Sequence, residues 1–187
     1  MIFFHKFHVT FYRYDLQKPP KDWEADFHSM EQPDGELGYK NQAGALFFYD
    51  NIDDTINAIN LMRRQWPNTH PDIAEPKRIY ITTAGIVEDM QLLDLSGFAM
   101  VDDIVNYLHV EGIDVLGQSF KTYSDIPLGS AGASLFCQNL TMYANGPIFK
   151  KLLLSKGLDG YCFPEIERER KIYCIFNVAK MSPPKVF

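Results

Sequence analysis

The chain has 187 residues, 46% of them hydrophobic and 14% aromatic, with a formal net charge of −6. That length and apolar content are enough for one domain, spanning residues 1–187, with a substantial core, and they exclude bulk disorder. The acidic balance argues against unspecific binding of nucleic acid, whose affinity comes from many cationic contacts.

From Phe3 to Asp15 the residues alternate. Phe3, Phe7, Val9 and Phe11 fall in one row, and Lys6, His8, Thr10, Tyr12 and Tyr14 in the other, which is the period of a half-buried strand. Arg13 falls at the end of the apolar row and needs a partner or a ligand, because a guanidinium is not desolvated without compensation. An ion pair with a nearby acid and a grip on a phosphate both satisfy that need. Residues 17 to 44 hold Pro19, Pro20, Pro33, Gly35, Gly38 and Gly44 with few apolar pairs, and read as a long loop. A strand follows over Ala45 to Tyr49. Asp53 or Asp54 then caps a helix with Ile52, Ile56, Ile59 and Met62 at helical spacing, and Pro67 is expected to stop it.

A second loop, Pro67 to Pro76, leads to a strand over Arg78 to Thr83. An apolar run Leu92–Ser96 and a helix from Met100 to His109 come next, then another apolar run over Gly112–Leu116. Gly117 to Gly132 reads as a surface loop. Within Gly129–Ser134 the glycines suggest a phosphate-binding loop, but the Walker lysine and a preceding strand are missing, so a flexible loop fits better. A helix is expected from Ser134 to Tyr143, and another from Ile148 to Lys156. The chain then forms a glycine turn, Gly157–Gly160, an apolar run Tyr161–Pro164 ending at Glu165, a charged turn, and the strand Ile172–Phe176. The element order is mixed, which fits α+β and disfavours a doubly wound parallel sheet.

Cys137, Cys162 and Cys174 are odd in number and set in apolar runs, so they read as reduced core residues. The five histidines show no metal-ligand spacing. His5 shares the parity of Arg13 and either reaches the same face or sits satisfied in the core. Polar groups interrupt Met1–His8 too early for a signal-peptide core, and no later run approaches a membrane span. The expected location is the cytoplasm, with secretion without a leader as the alternative.

Three patches carry a family resemblance: Phe11-Tyr12-Arg13, then Asn41-Gln42-Ala43-Gly44-Ala45-Leu46-Phe47-Phe48-Tyr49, then Gly157-Leu158-Asp159-Gly160-Tyr161-Cys162-Phe163-Pro164-Glu165 with Tyr173-Cys174-Ile175-Phe176-Asn177. In this order they resemble the ADP-ribosyltransferase superfamily, especially its small bacterial and phage members, and the middle patch is also similar to RES-type toxins that degrade NAD. The resemblance implies a split, bent β-sandwich with flanking helices whose cleft binds NAD as substrate, without a metal. It implies that Arg13 orients the dinucleotide, Tyr49 flanks the nicotinamide, and Glu165 is the catalytic acid. Glu167 is the alternative if Glu165-Ile166-Glu167 is taken as an acid pair, but Glu165 directly ends the apolar run. Asn41 and Gly44 would shape the entry to the second strand and Tyr39 would cover the cofactor, although each also suits an ordinary turn. The implied reaction transfers ADP-ribose to a macromolecular acceptor. Hydrolysis or phosphorolysis of NAD, and an inactive relative serving as a protein-interaction module, are the alternatives.

Overall fold

A computed structural model of the chain describes residues 1–6, 9–16, 18–23, 45–112, 125–141, 146–165 and 170–187. Two sheets and four helices make up its α+β architecture. The strands are β1 (Ile2–Phe4), β2 (Thr10–Asp15), β3 (Leu46–Phe48), β4 (Tyr80–Gly85), β5 (Met90–Asp94), β6 (Gly160–Pro164), β7 (Lys171–Ile175) and β8 (Lys185–Val186). The helices are α1 (Ile52–Thr69), α2 (Val101–Val110), α3 (Ala131–Asn139) and α4 (Gly146–Ser155). The larger sheet runs β1-β5-β6-β7-β3 and the smaller β2-β4-β8. All pairs are antiparallel except β5 with β6.

Side-chain alternation along the larger sheet divides the interior into two cores. Tyr161, Phe163, Ile172, Cys174 and Phe176 point to a face covered by Ile104 and Leu108 of α2, Phe136 of α3, and Phe149 and Leu153 of α4. Leu46, Phe48, Leu92, Cys162, Tyr173 and Ile175 point the opposite way and meet Phe11 and Ala84 of the smaller sheet. Because both faces of β6 are covered, all five of its residues are buried, which explains why it reads as an uninterrupted apolar run. The sheets are also joined by backbone: Tyr12 and Tyr49 exchange two N–H···O bonds of 2.7 Å, linking β2 to the end of β3.

Several boundaries differ from expectation. The alternating stretch 3–15 forms two strands in different sheets, because β1 pairs with β5 whereas β2 pairs with β4. Asn51 caps α1, accepting the Asp53 amide at 2.8 Å, while Asp53 and Asp54 sit in the first turn. Pro67 does not end α1. The helix runs one more turn, closed by the His70 amide on the Trp66 carbonyl at 2.8 Å and anchored by the Trp66 indole N–H on the Ile73 carbonyl at 2.9 Å. The expected loop Gly117–Gly132 ends sooner than its composition suggests. Ser130 accepts the Ala133 amide at 3.3 Å and so starts α3, making Ala131–Ser134 helical. The run at 113–116 lies outside the described residues. The cysteines are free and buried, as expected. Among the described residues no helix is long and apolar enough to cross a membrane.

Candidate functional site

Strand β6 carries an acid just before its first residue and another just after its last, and the two are held differently. Before it, α4 ends in a turn with Gly157 at φ 73°, where the Leu158 amide returns to the Leu153 carbonyl at 2.9 Å. Asp159 follows and is only 4% exposed. Its Oδ1 accepts from Asn177 Nδ2 at 2.9 Å, and its Oδ2 from the Gln91 amide at 3.0 Å and Lys180 Nζ at 2.9 Å. Its backbone carbonyl accepts the amides of Phe176 and Asn177, so it ties β5, β6 and the segment after β7 together. Next in line, Gly160 is forced by proximity, because a Cβ there would collide with the carbonyl oxygen of Cys174. The Asp-Gly and Phe-Asn pieces of the family-like pattern are thus accounted for by the frame itself.

At the other end of β6, the Glu165 amide donates to the Arg170 carbonyl at 2.8 Å, keeping the acid in register across the β6–β7 hairpin. Glu165 is 7% exposed. Its Oε1 accepts from the Tyr49 hydroxyl at 3.2 Å. Among the described residues its Oε2 is buried without a hydrogen-bond partner, and the nearest cation, Arg170 Nε, is 3.6 Å away. Burial pushes the carboxyl above the usual glutamate range; Arg170 and the Tyr49 hydrogen bond oppose that, and Asp54 of α1 adds to it. One hydrogen bond to a charged group contributes about 1.5–3 kcal/mol, whereas dehydrating a carboxylate costs several kcal/mol.

Two phenols face this acid. Burial and then the charge of Glu165 raise both hydroxyls, Tyr14 of β2 to about 12 and Tyr49 well above the ordinary tyrosine value. Both therefore stay protonated at neutral pH, and Tyr49 remains a donor to Glu165. Tyr14 reaches this side because it alternates with Arg13 along β2. The sequence did place Tyr14 in the row opposite Phe11, but no local signal linked it to Glu165, 151 residues away by their numbering.

Arg13 lies elsewhere. It is buried, as its row implied, but it faces the core between the sheets. There its Nε donates to Asp15 Oδ1 at 2.8 Å, a second guanidinium nitrogen approaches the same oxygen at 2.6 Å, and its carbon lies 5.6 Å from the Phe48 ring centroid. Asp15 also accepts from the Thr82 hydroxyl at 3.1 Å. Of the three residues expected to meet, Tyr49 and Glu165 do so on the helix-covered face, and Arg13 is engaged on the other. Arg170, which the sequence reading assigned only to a charged turn, is the cation beside Glu165. Tyr39, Asn41, Gly44 and Glu167 lie outside the described residues. His5 is neither at the site nor in the core, being exposed and 3.6 Å from Asp89.

A second polar group occupies the opposite face of the same sheet. Asp94 accepts from the Ser96 hydroxyl at 2.6 Å, the Ser96 amide at 3.0 Å and Lys171 Nζ at 3.1 Å, and the Cys162 thiol lies 3.4 Å away. Burial raises its carboxyl, but the Ser96 and Lys171 contacts outweigh that and hold it below the usual range. The Cys162 thiol is pushed up by burial and then by Asp94, the reverse of what a reactive cysteine needs. Every acceptor in this group has a partner, so it is a brace rather than a reaction centre. Among the described residues no group of three His, Cys, Asp or Glu side chains is placed to hold a metal ion.

Comparison of the chain with protein families, with curated proteins and with solved structures finds no match.

Proposed function

We propose that this chain acts on NAD, breaking the bond between nicotinamide and ribose at Glu165 and passing ADP-ribose to a macromolecular acceptor. The electron pair of the broken bond leaves with nicotinamide. The ribose carbon gains positive charge, and the carboxylate of Glu165 stabilises that oxocarbenium-like state through a ribose hydroxyl placed on Oε2. The acceptor nucleophile then bonds to that carbon and gives up its proton. Tyr49 holds Oε1 through its hydroxyl.

One observation carries this reading: a carboxylate more than nine-tenths buried, gripped on one oxygen and, among the described residues, unpartnered on the other. Its place at the rim of a larger sheet joined to a smaller one by the Tyr12–Tyr49 bridge suits the split, bent sandwich of ADP-ribosyltransferases. In this scheme Arg13 braces β2 through Asp15 and is not assigned to the dinucleotide.

The test is nicotinamide release from NAD, with and without a protein acceptor, by the parent chain and by Glu165→Gln. Turnover in the parent that falls about 100-fold or more in the variant supports the reading. Equal turnover in both removes Glu165 from the chemistry. A second reading, a fold relative without catalysis that serves as an interaction module, is favoured by the engagement of Arg13 with Asp15. A parent that folds and releases no nicotinamide selects it.

A further inference from the structure

The carboxylate at the end of β6 is surrounded by groups of unequal effect. Tyr49 reaches it from the end of β3, Tyr14 faces it from β2, Asp54 from the first turn of α1, and Arg170 from the start of β7. The two phenols are neutral, and Asp54 adds negative charge. Arg170 is therefore the one cation facing Glu165 among the described residues. The pair is tied by backbone, because the Glu165 amide donates to the Arg170 carbonyl at 2.8 Å, which keeps the two residues opposite each other across the hairpin.

The contact itself is unusual in form. Arg170 Nε lies 3.6 Å from Oε2, and the guanidinium makes no hydrogen bond among the described residues. An arginine used as a structural clamp makes short, often bidentate, bonds, and Arg13 puts two guanidinium nitrogens within 2.8 Å of Asp15 Oδ1. Arg170 instead contributes charge while leaving Oε2 able to accept from a ligand. For a buried carboxylate with a single hydrogen bond, a nearby cation offsets part of the desolvation that disfavours its ionised form.

We infer that Arg170 is the positioning residue of the Glu165 site: its charge supports the ionised form of Glu165 without a hydrogen bond to Oε2, so that a buried oxygen is left to accept from a ligand. This inference rests on the reading of Glu165 as the working acid. Asp54 acts against it, since its negative charge disfavours a second ionised carboxylate at Glu165.

The experiment follows the Glu165 side-chain carboxyl by carbon-13 resonance across pH in the ligand-free chain, with the signal identified by its loss in Glu165→Gln. Arg170→Gln is expected to move its midpoint upward by about one pH unit, the lower end of what a nearby opposite charge contributes. Arg170→Lys is expected to stay near the parent, because the point charge is kept, and Asp54→Asn to move the midpoint down. If nicotinamide is released, the acid limb of the kcat profile shifts with the Arg170→Gln midpoint while KM for NAD is unchanged. A Glu165 midpoint identical in parent and Arg170→Gln overturns the inference, whatever the activity. A parent that releases no nicotinamide but shows the expected midpoint shifts contradicts the NAD reading and sustains the role of Arg170.

Discussion

Asp159 and Glu165 are two buried acids on either side of one short strand, and they have opposite surroundings. Asp159 has three donors on its two oxygens, from β5, from the segment after β7 and from Lys180. Among the described residues, Glu165 has one donor on Oε1 and none on Oε2. Burial alone does not distinguish them, since both are less than one-tenth exposed. The number of satisfied lone pairs does. A fully bonded buried acid lowers the free energy of the fold, whereas one held out of water with an empty oxygen raises it, and such strain persists where function requires it.

The frame end of β6 should break hardest. Gly160→Ala forces the backbone of β6 away from Cys174, and the cost is expected to exceed about 3 kcal/mol, enough to unfold a marginal domain. Denaturant titration of soluble protein, or its failure to accumulate, reads this out. Asp159→Ala comes next. It strands the part-buried Gln91 amide and Asn177 side chain, with Lys180 partly solvated and contributing little, so a loss of about 2 kcal/mol in unfolding free energy is expected. A loss under about 0.5 kcal/mol, the range of surface changes, would remove the contrast between the two ends.

At the other end, smaller effects on stability are expected. Tyr49→Phe removes the one hydrogen bond on Oε1 and is expected to cost about 1 kcal/mol or less of stability. Because that bond favours the ionised form, its loss should raise the Glu165 midpoint. A carboxyl titration of Tyr49→Phe that superimposes on the parent would show that the phenol does not support the acid.

Much of this contrast was written locally in the chain, and its decisive part was not. The alternation that buried Arg13 and the apolar run that delivered Glu165 to a sheet rim are periodic signals, read directly. The glycine turn before β6 was equally plain. What the sequence could not contain was the partner of each charge. Asp15, two residues beyond Arg13, shares its face by strand parity and captured it, which the family-like pattern did not suggest. Tyr14 and Arg170 came to Glu165 through pairing between distant strands and a hairpin register, neither of which has a local signature. Pro67 and the Gly129–Ser134 stretch were misread for a related reason. A terminal turn tolerates proline when a tryptophan anchors it, and a serine beside glycine caps a helix as readily as it ends a loop.

The most direct measurement is the stability of Glu165→Gln relative to the parent as a function of pH, by equilibrium denaturation. The folded-state pKa of Glu165 lies above its unfolded value, so the native chain holds the proton longer than the unfolded one. Parent stability therefore falls as pH rises from the ordinary glutamate range through that raised value, and the neutral amide escapes the loss. Glu165→Gln should be more stable than the parent at neutral pH, with the gain vanishing at acid pH where both side chains are uncharged. A variant less stable than the parent at neutral pH would mean that Glu165 is bonded into the frame like Asp159, and the distinction between the two ends of β6 would fail.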